Sequence, residues 1–307
     1  MLMLLALAVP LAVLDFTMGG DDDDEEEAVE RIGSDADEDI SGGLGNDFID
    51  ADAGDDVING RAGDDLIFGR EGADVLQGED GNDMLCSGDD NDIVTGNRGN
   101  DFIEGQEGDD FVSGDYGFDS VRGDEGNDTV IGGRGGDILE GGTGDDILFG
   151  GIIQGLPLNL TELTALRDGG SLDEINNGIE MRDDSLGDSM RGEDGDDQLI
   201  IGAMDEAVGN NGADIFHILS EQSIEGGATI VDYNADDDAI TVIVDDTSVD
   251  ADITVINEGG DAIVRMGDTV LARVQGAAGT LSTADITLIA HDTVAALLDP
   301  NAAAAVS

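Results

Sequence analysis

Along most of the first half of the chain, apolar residues recur at a fixed interval of nine. Ile49, Ile58, Ile67, Leu76, Leu85, Val94, Ile103, Val112, Val121, Val130, Leu139 and Leu148 share one place, and between them lie glycine-rich acidic stretches. A helix would give a period of 3.6 and a simple strand a period of 2, so a longer unit is repeating. Framed from Gly42, twelve nonapeptides run without insertion to Phe149. The aliphatic residues take the eighth place. The first place is Gly in ten units, with Ala51 and Ser87 departing, and the fourth is Gly in eleven, with Asp90 departing. The sixth is Asp in all twelve.

Each unit predicts a turn of six glycine-rich residues followed by a three-residue strand whose middle side chain points inward. Two units return the chain to its start, so the expected coil has 18 residues. Coils stacked about 4.8 Å apart pair their strands in parallel and build a thin core from the eighth places. The twelve units make six coils, about 29 Å of roll. So thin a core offsets little of the roughly 1–2 kcal/mol per residue that ordering costs, and another favourable term is needed.

Charge supplies a reason and a remedy. The 307 residues include 73 Asp and Glu against 11 basic residues, all Arg, for a net charge of -62. That excludes a nucleic-acid binder, which needs a basic face. One cysteine, Cys86, excludes a disulfide framework, and His217 and His291 make no H-E-x-x-H site. A chain so acidic and so poor in aromatics stays unfolded until its charge is neutralised, and many carboxylates in register call for a hard divalent cation, calcium before magnesium.

The 18-residue recurrence assigns the sixth-place carboxylates to two edges. One carries Asp47, Asp65, Asp83, Asp101, Asp119 and Asp137; the other carries Asp56, Asp74, Asp92, Asp110, Asp128 and Asp146. Ca2+ between stacked turns takes carboxylates from the sixth places and backbone carbonyls from the turns, with about ten ions expected in the main roll. Asp90, replacing Gly, marks the turn expected to be weakest. Phe48, Phe102 and Phe111 in seventh places face outward and are expected to pack under a neighbouring segment. Cys86 reads as a spare thiol and His217 as structural.

Composition divides the chain further. Residues 1–20 are an apolar segment lacking a basic start, for which a signal, an anchor and a short hydrophobic arm all stay open; membrane contact is expected only through residues 1–18. Residues 21–41 read as an acidic linker, 42–149 as the main roll and 150–182 as an irregular insert with a helix at 161–167 ended by Gly169. A degenerate second block spans 183–217, where Asp197 and Asp214 take the sixth place; Asp188 and Asp205 suggest weaker units in the same two stacks. A β-rich cap, 218–290, has candidate strands at 229–233, 239–244, 253–257, 262–266, 269–274 and 286–289, with hairpin turns at 257–261 and 266–268. The tail, 291–307, is expected to fray.

The units resemble the G-G-x-G-x-D-x-U-x repeat of RTX (repeats-in-toxin), hemolysin-type calcium-binding proteins. Gly212 to Ile240, with G-A-D-I-F-H-I and I-V-D-Y-N-A-D-D-D-A-I, resembles the C-terminal end of many of them. The resemblance implies an all-β fold: a calcium-bound parallel β-roll followed by a β-rich cap. It also implies a secreted or surface protein exported by a type I secretion apparatus, although an apolar N-terminal segment departs from that pattern. The expected function is calcium binding without enzyme activity. A calcium-dependent adhesin or matrix protein is the alternative, though an ice-binding version is rejected because only Thr143 puts Thr in the third place. A hydrolase or epimerase with its site in 150–290 is the other; no G-x-S-x-G motif occurs, and 41 residues before the roll are too few for a catalytic domain.

Overall fold

A computed structural model of the chain describes residues 28–172, 175, 179–184, 186–220, 226–244 and 252–300. The apolar segment and the acidic run at 21–27 lie outside the described residues. The rest is an all-β roll. Its strands alternate between a 13-stranded and an 11-stranded sheet. Strand Leu66–Glu71 pairs in parallel with Met84–Asp89, and Val75–Asp80 with Ile93–Arg98, each 18 residues on. Two units per coil is therefore the observed winding.

The eighth-place side chains of all twelve units are completely buried in one continuous core between the sheets. Ten of the twelve main-roll strands, however, are six residues long, from the seventh place to the third place of the next unit. The expected three-residue strand is too short because the second place bends without ending the ladder. Arg61, Arg70, Glu79, Asn97, Gln106, Asp115 and Asp124 adopt φ between 71° and 93° there, and pairing resumes beyond them. The separate turn shrinks to places four to six.

The roll also begins earlier than Gly42. Glu30–Ile32 pairs with Phe48–Asp50 and Asp39–Ser41 with Val57–Asn59, so residues expected in the acidic linker form the first coil. The second block is not a separate roll. Ser189–Asp194 stacks on Ile138–Thr143, and Gln198–Ile201 on Ile147–Phe149, as though the insert were absent.

The insert folds back over the 11-stranded sheet. Its helix, Leu160–Arg167, is N-capped by Asn159, whose side chain accepts from the N–H groups of Thr161 and Glu162 while Glu162 accepts from that of Asn159. Leu163 and Leu166 are buried in one cluster with Val75, Ile93 and Phe111. Phe111 thus packs under a neighbouring segment as expected, while Phe48 and Phe102, on the other sheet, stay half-buried. The tail is a correction. Residues 291–298 form two short helical turns, and Val294 and Leu298 are buried in the same cluster. Apolar side chains spaced along that stretch hold it down.

At the far end a meander finishes the 13-stranded sheet. Ile253–Glu258, Asp261–Met266 and Thr269–Val274 run antiparallel through turns at Gly259-Gly260 and Gly267-Asp268, and the last pairs in parallel with Ala228–Ile230. The apolar edge of the growing sheet is thereby covered.

Candidate metal centre

Two files of buried carboxylates run the length of the roll. In one, the N–H of each sixth-place Asp donates to Oδ1 of the next, from Asp47 through Asp65, Asp83, Asp101, Asp119 and Asp137 at 2.8–2.9 Å. The file continues from Asp137 to Asp188 and from Asp188 to Asp205. The other runs Asp56, Asp74, Asp92, Asp110, Asp128, Asp146, then Asp197 and Asp214. The structure thus places the twelve aspartates of the main roll in the two files assigned to them and adds Asp197 and Asp214 to the second, none of the fourteen more than 3% exposed.

Each carboxylate uses one oxygen for the ladder. The second, Oδ2, is buried without a hydrogen-bond partner at Asp56, Asp65, Asp74, Asp83, Asp92, Asp101, Asp110, Asp119, Asp128, Asp137, Asp146 and Asp197. A file of orphaned charged oxygens is costly. At Asp47 the N–H of Gly43 donates to Oδ2. Burial pushes these carboxyls far above their ordinary range, to about 6 at Asp65 and Asp101, about 8 at Asp110 and Asp119, and about 9 at Asp92. The donated backbone N–H lowers each value, but less than desolvation raises it.

The first-place glycine explains where Oδ2 points. A side chain at Gly105 would meet Oδ2 of Asp110 and the carbonyl oxygen of Gly123, one coil on. The same pair surrounds Gly60 (Asp65 and Gly78), Gly78 (Asp83 and Gly96), Gly141 (Asp146 and Gly192) and Gly192 (Asp197 and Gly209). Glycine therefore leaves a small oxygen-lined space between successive turns, which a Cβ would fill. Among the described residues no three His, Cys, Asp or Glu side chains converge. The acidic side chains stand in single file, so backbone carbonyls would have to supply the other oxygens of any bound cation. A hard cation that accepts carboxylate and carbonyl oxygens together fits this donor set.

The turn containing Asp90 keeps its place in the file. Asp90 adopts φ 78°, and Asp92 still accepts from Asp74 and donates to Asp110. The spacing of 17 in the second block comes from one eight-residue unit, Gln198 to Asp205, closed by the N–H of Gly202 donating to Oδ2 of Asp205 at 2.6 Å.

Sequence reasoning missed the ends of the files and a second ladder. Glu38 holds the sixth place before Asp56 and donates its N–H to that residue, while Asp238 accepts from Asp214 beyond the last repeat. On the surface, fifth-place Asn and Asp oxygens accept from the N–H 18 residues later, as from Asn82 to Asp64, Asn100 to Asn82 and Asn127 to Asp109. The signal was present, since nine of the twelve fifth places are Asn or Asp.

The remaining candidates are quiet. Cys86 is buried beside Glu104, and its thiol is pushed up to about 11. His217 contacts Thr241 at 2.7 Å and Gln198 at 3.1 Å, and burial lowers it to about 4. Among the described residues no helix is long and apolar enough to cross a membrane.

Residues 32–152 match the RTX calcium-binding nonapeptide repeat family in four copies, at 32–67, 59–94, 87–121 and 122–152. No curated protein matches the chain. Among solved structures it is similar to the extracellular lipase LipA from Serratia marcescens, at 15% identity and a TM-score of 0.25, over 68% of this chain and 40% of that one. The chain spans less than half the length of that relative.

Proposed function

We propose that this calcium-binding protein of the RTX-repeat type works outside the cell, at the surface or free, as a roll that folds when calcium enters its two files of carboxylates. The observation that carries the reading is the run of twelve buried, unpartnered Oδ2 atoms, ten of them beside first-place glycines. Calcium supplies the positive charge that such oxygens lack. Asp56 through Asp146 and Asp47 through Asp137 would hold it, with Asp188, Asp197, Asp205 and Asp214 extending the same files past the insert. About ten ions in the main roll follow from one per gap between coils on each edge.

Calcium coupling also suits export. In calcium-poor cytosol a chain of net charge -62 repels itself and stays open, as a type I exporter requires; outside, ligation and folding proceed together. We assign no enzyme activity: the chain lacks G-x-S-x-G and H-E-x-x-H, and His217 is already engaged by Thr241 and Gln198. Circular dichroism tests the reading. The calcium-free chain at neutral pH should show little sheet signal, and calcium in the range of about 10⁻⁴–10⁻³ M should produce it cooperatively, with magnesium ineffective. A calcium-free chain already rich in sheet would overturn it.

A further inference from the structure

A second kind of site lies outside the two files, between the 11-stranded sheet and the insert. Asp115 stands at the second place of its unit, with φ 71°, and is 5% exposed. Ser113 Oγ donates to its Oδ1 at 3.0 Å, and its Oδ2 is buried without a partner. Asp115 lines a cavity of about 310 Å³. In the same column one coil earlier, Asn97 is satisfied by donating to Thr95 Oγ1 at 3.1 Å. One coil later the column holds Gly133, which also lines the cavity.

The rest of the lining has the opposite character. Arg134, lying 5.2 Å over the Tyr116 ring, and Arg182, paired to Glu180 at 3.1 Å, are two arginines in the lining. Ile131, Ile153 and Leu156 give it an apolar wall. Asp115 is the one carboxylate in the lining, so a divalent ion, which needs six or more oxygens and is repelled by arginines, does not fit here. The fit is to an organic molecule positive at one end and negative at the other, with a short aliphatic body between. The volume is at the lower end of the range for small-molecule sites.

We propose that this cavity binds a short aliphatic ammonium carboxylate, its ammonium at Asp115 and its carboxylate on Arg134 and Arg182. Such a ligand would tie the insert to the roll, because Arg182 belongs to the insert and Asp115 to the sheet.

Titration calorimetry on the full chain in calcium tests this, with 6-aminohexanoate as probe and hexanoate and hexylamine as half-ligands. The expected result is saturable one-to-one binding of 6-aminohexanoate and affinities for each half-ligand weaker by about tenfold or more. Asp115→Asn, nearly isosteric, should weaken the probe by a similar factor while the calcium-induced sheet signal is retained. If that variant fails to fold, Arg134→Gln, at an exposed side chain, should weaken the probe and hexanoate but leave hexylamine unchanged. No saturable binding of the probe by the folded wild-type chain up to about 10 mM, or equal binding by the folded variants, would overturn the proposal. The sheet signal is read separately, so failure of calcium-coupled folding is distinguishable from failure of this site.

Discussion

The N–H of Asp101 donates to Oδ1 of Asp119 at 2.8 Å, while Asp110, between them in sequence, belongs to the opposite edge. Neighbours in space are thus set by the 18-residue coil. Asp101→Ala should weaken the two calcium sites flanking it, beside Asp83 and Asp119, and leave those beside Asp92 and Asp110 intact. A crystal structure of the variant grown in calcium checks this. Ions missing beside Asp92 and Asp110 instead would contradict the pairing.

Ile103 is fully buried between Leu85 and Val121 in the inner column. Truncation to Ala removes a stacked aliphatic, at a cost of roughly 2–5 kcal/mol. Weaker packing must be offset by more ligand, so the calcium midpoint for folding, followed by circular dichroism, should rise. An unchanged midpoint would mean that core packing and calcium binding are not coupled.

The parts of this architecture legible in sequence are those where one residue type is forced at one place. Asp at the sixth place and an aliphatic at the eighth recur without exception through the twelve units, and they revealed both the coil and the files. Glu38 hid the first coil because it holds a sixth place without being Asp, and Arg31, paired with Ile49, puts a charged residue in an eighth place. Strand length was hidden at the second place, where Arg61 or Glu79 conceals a positive φ that Gly would have advertised. The cavity at Asp115 was invisible because it needs Ile153 and Arg182, brought to the roll by an insert with no repeat to frame it.

Gly105 tests the cradle rather than the ladder. A Cβ there would collide with Asp110 Oδ2 and the Gly123 carbonyl, the two oxygens offered to one cation. Gly105→Ala should therefore abolish or sharply weaken that site while leaving the Asp92–Asp110 hydrogen bond possible. Calcium stoichiometry by calorimetry should fall by about one ion, with a smaller loss of sheet signal than Ile103→Ala causes. Full stoichiometry with unchanged affinity would show that the first-place glycines are not making room for metal.

Acidity should act on the two states of the protein in opposite directions. Without metal, the buried sixth-place carboxyls from Asp56 to Asp146 titrate at values from about 6 at Asp65 to about 9 at Asp92, against about 3.9 in an unfolded chain. Between those values the folded form binds more protons than the unfolded one, so stability falls as pH rises. The contribution is fully present below about pH 4 and is lost as pH climbs through the folded values. Calcium-free protein should therefore gain sheet signal when acidified from about pH 8 to about pH 5, and milder self-repulsion works in the same direction. Calcium reverses the dependence, because each proton must leave before the ion can bind. The calcium midpoint should accordingly rise as pH falls over the same interval. Dichroism titrations at several pH values, on protein stripped of metal, measure both effects. A midpoint independent of pH would mean that calcium is not held by these buried carboxylates.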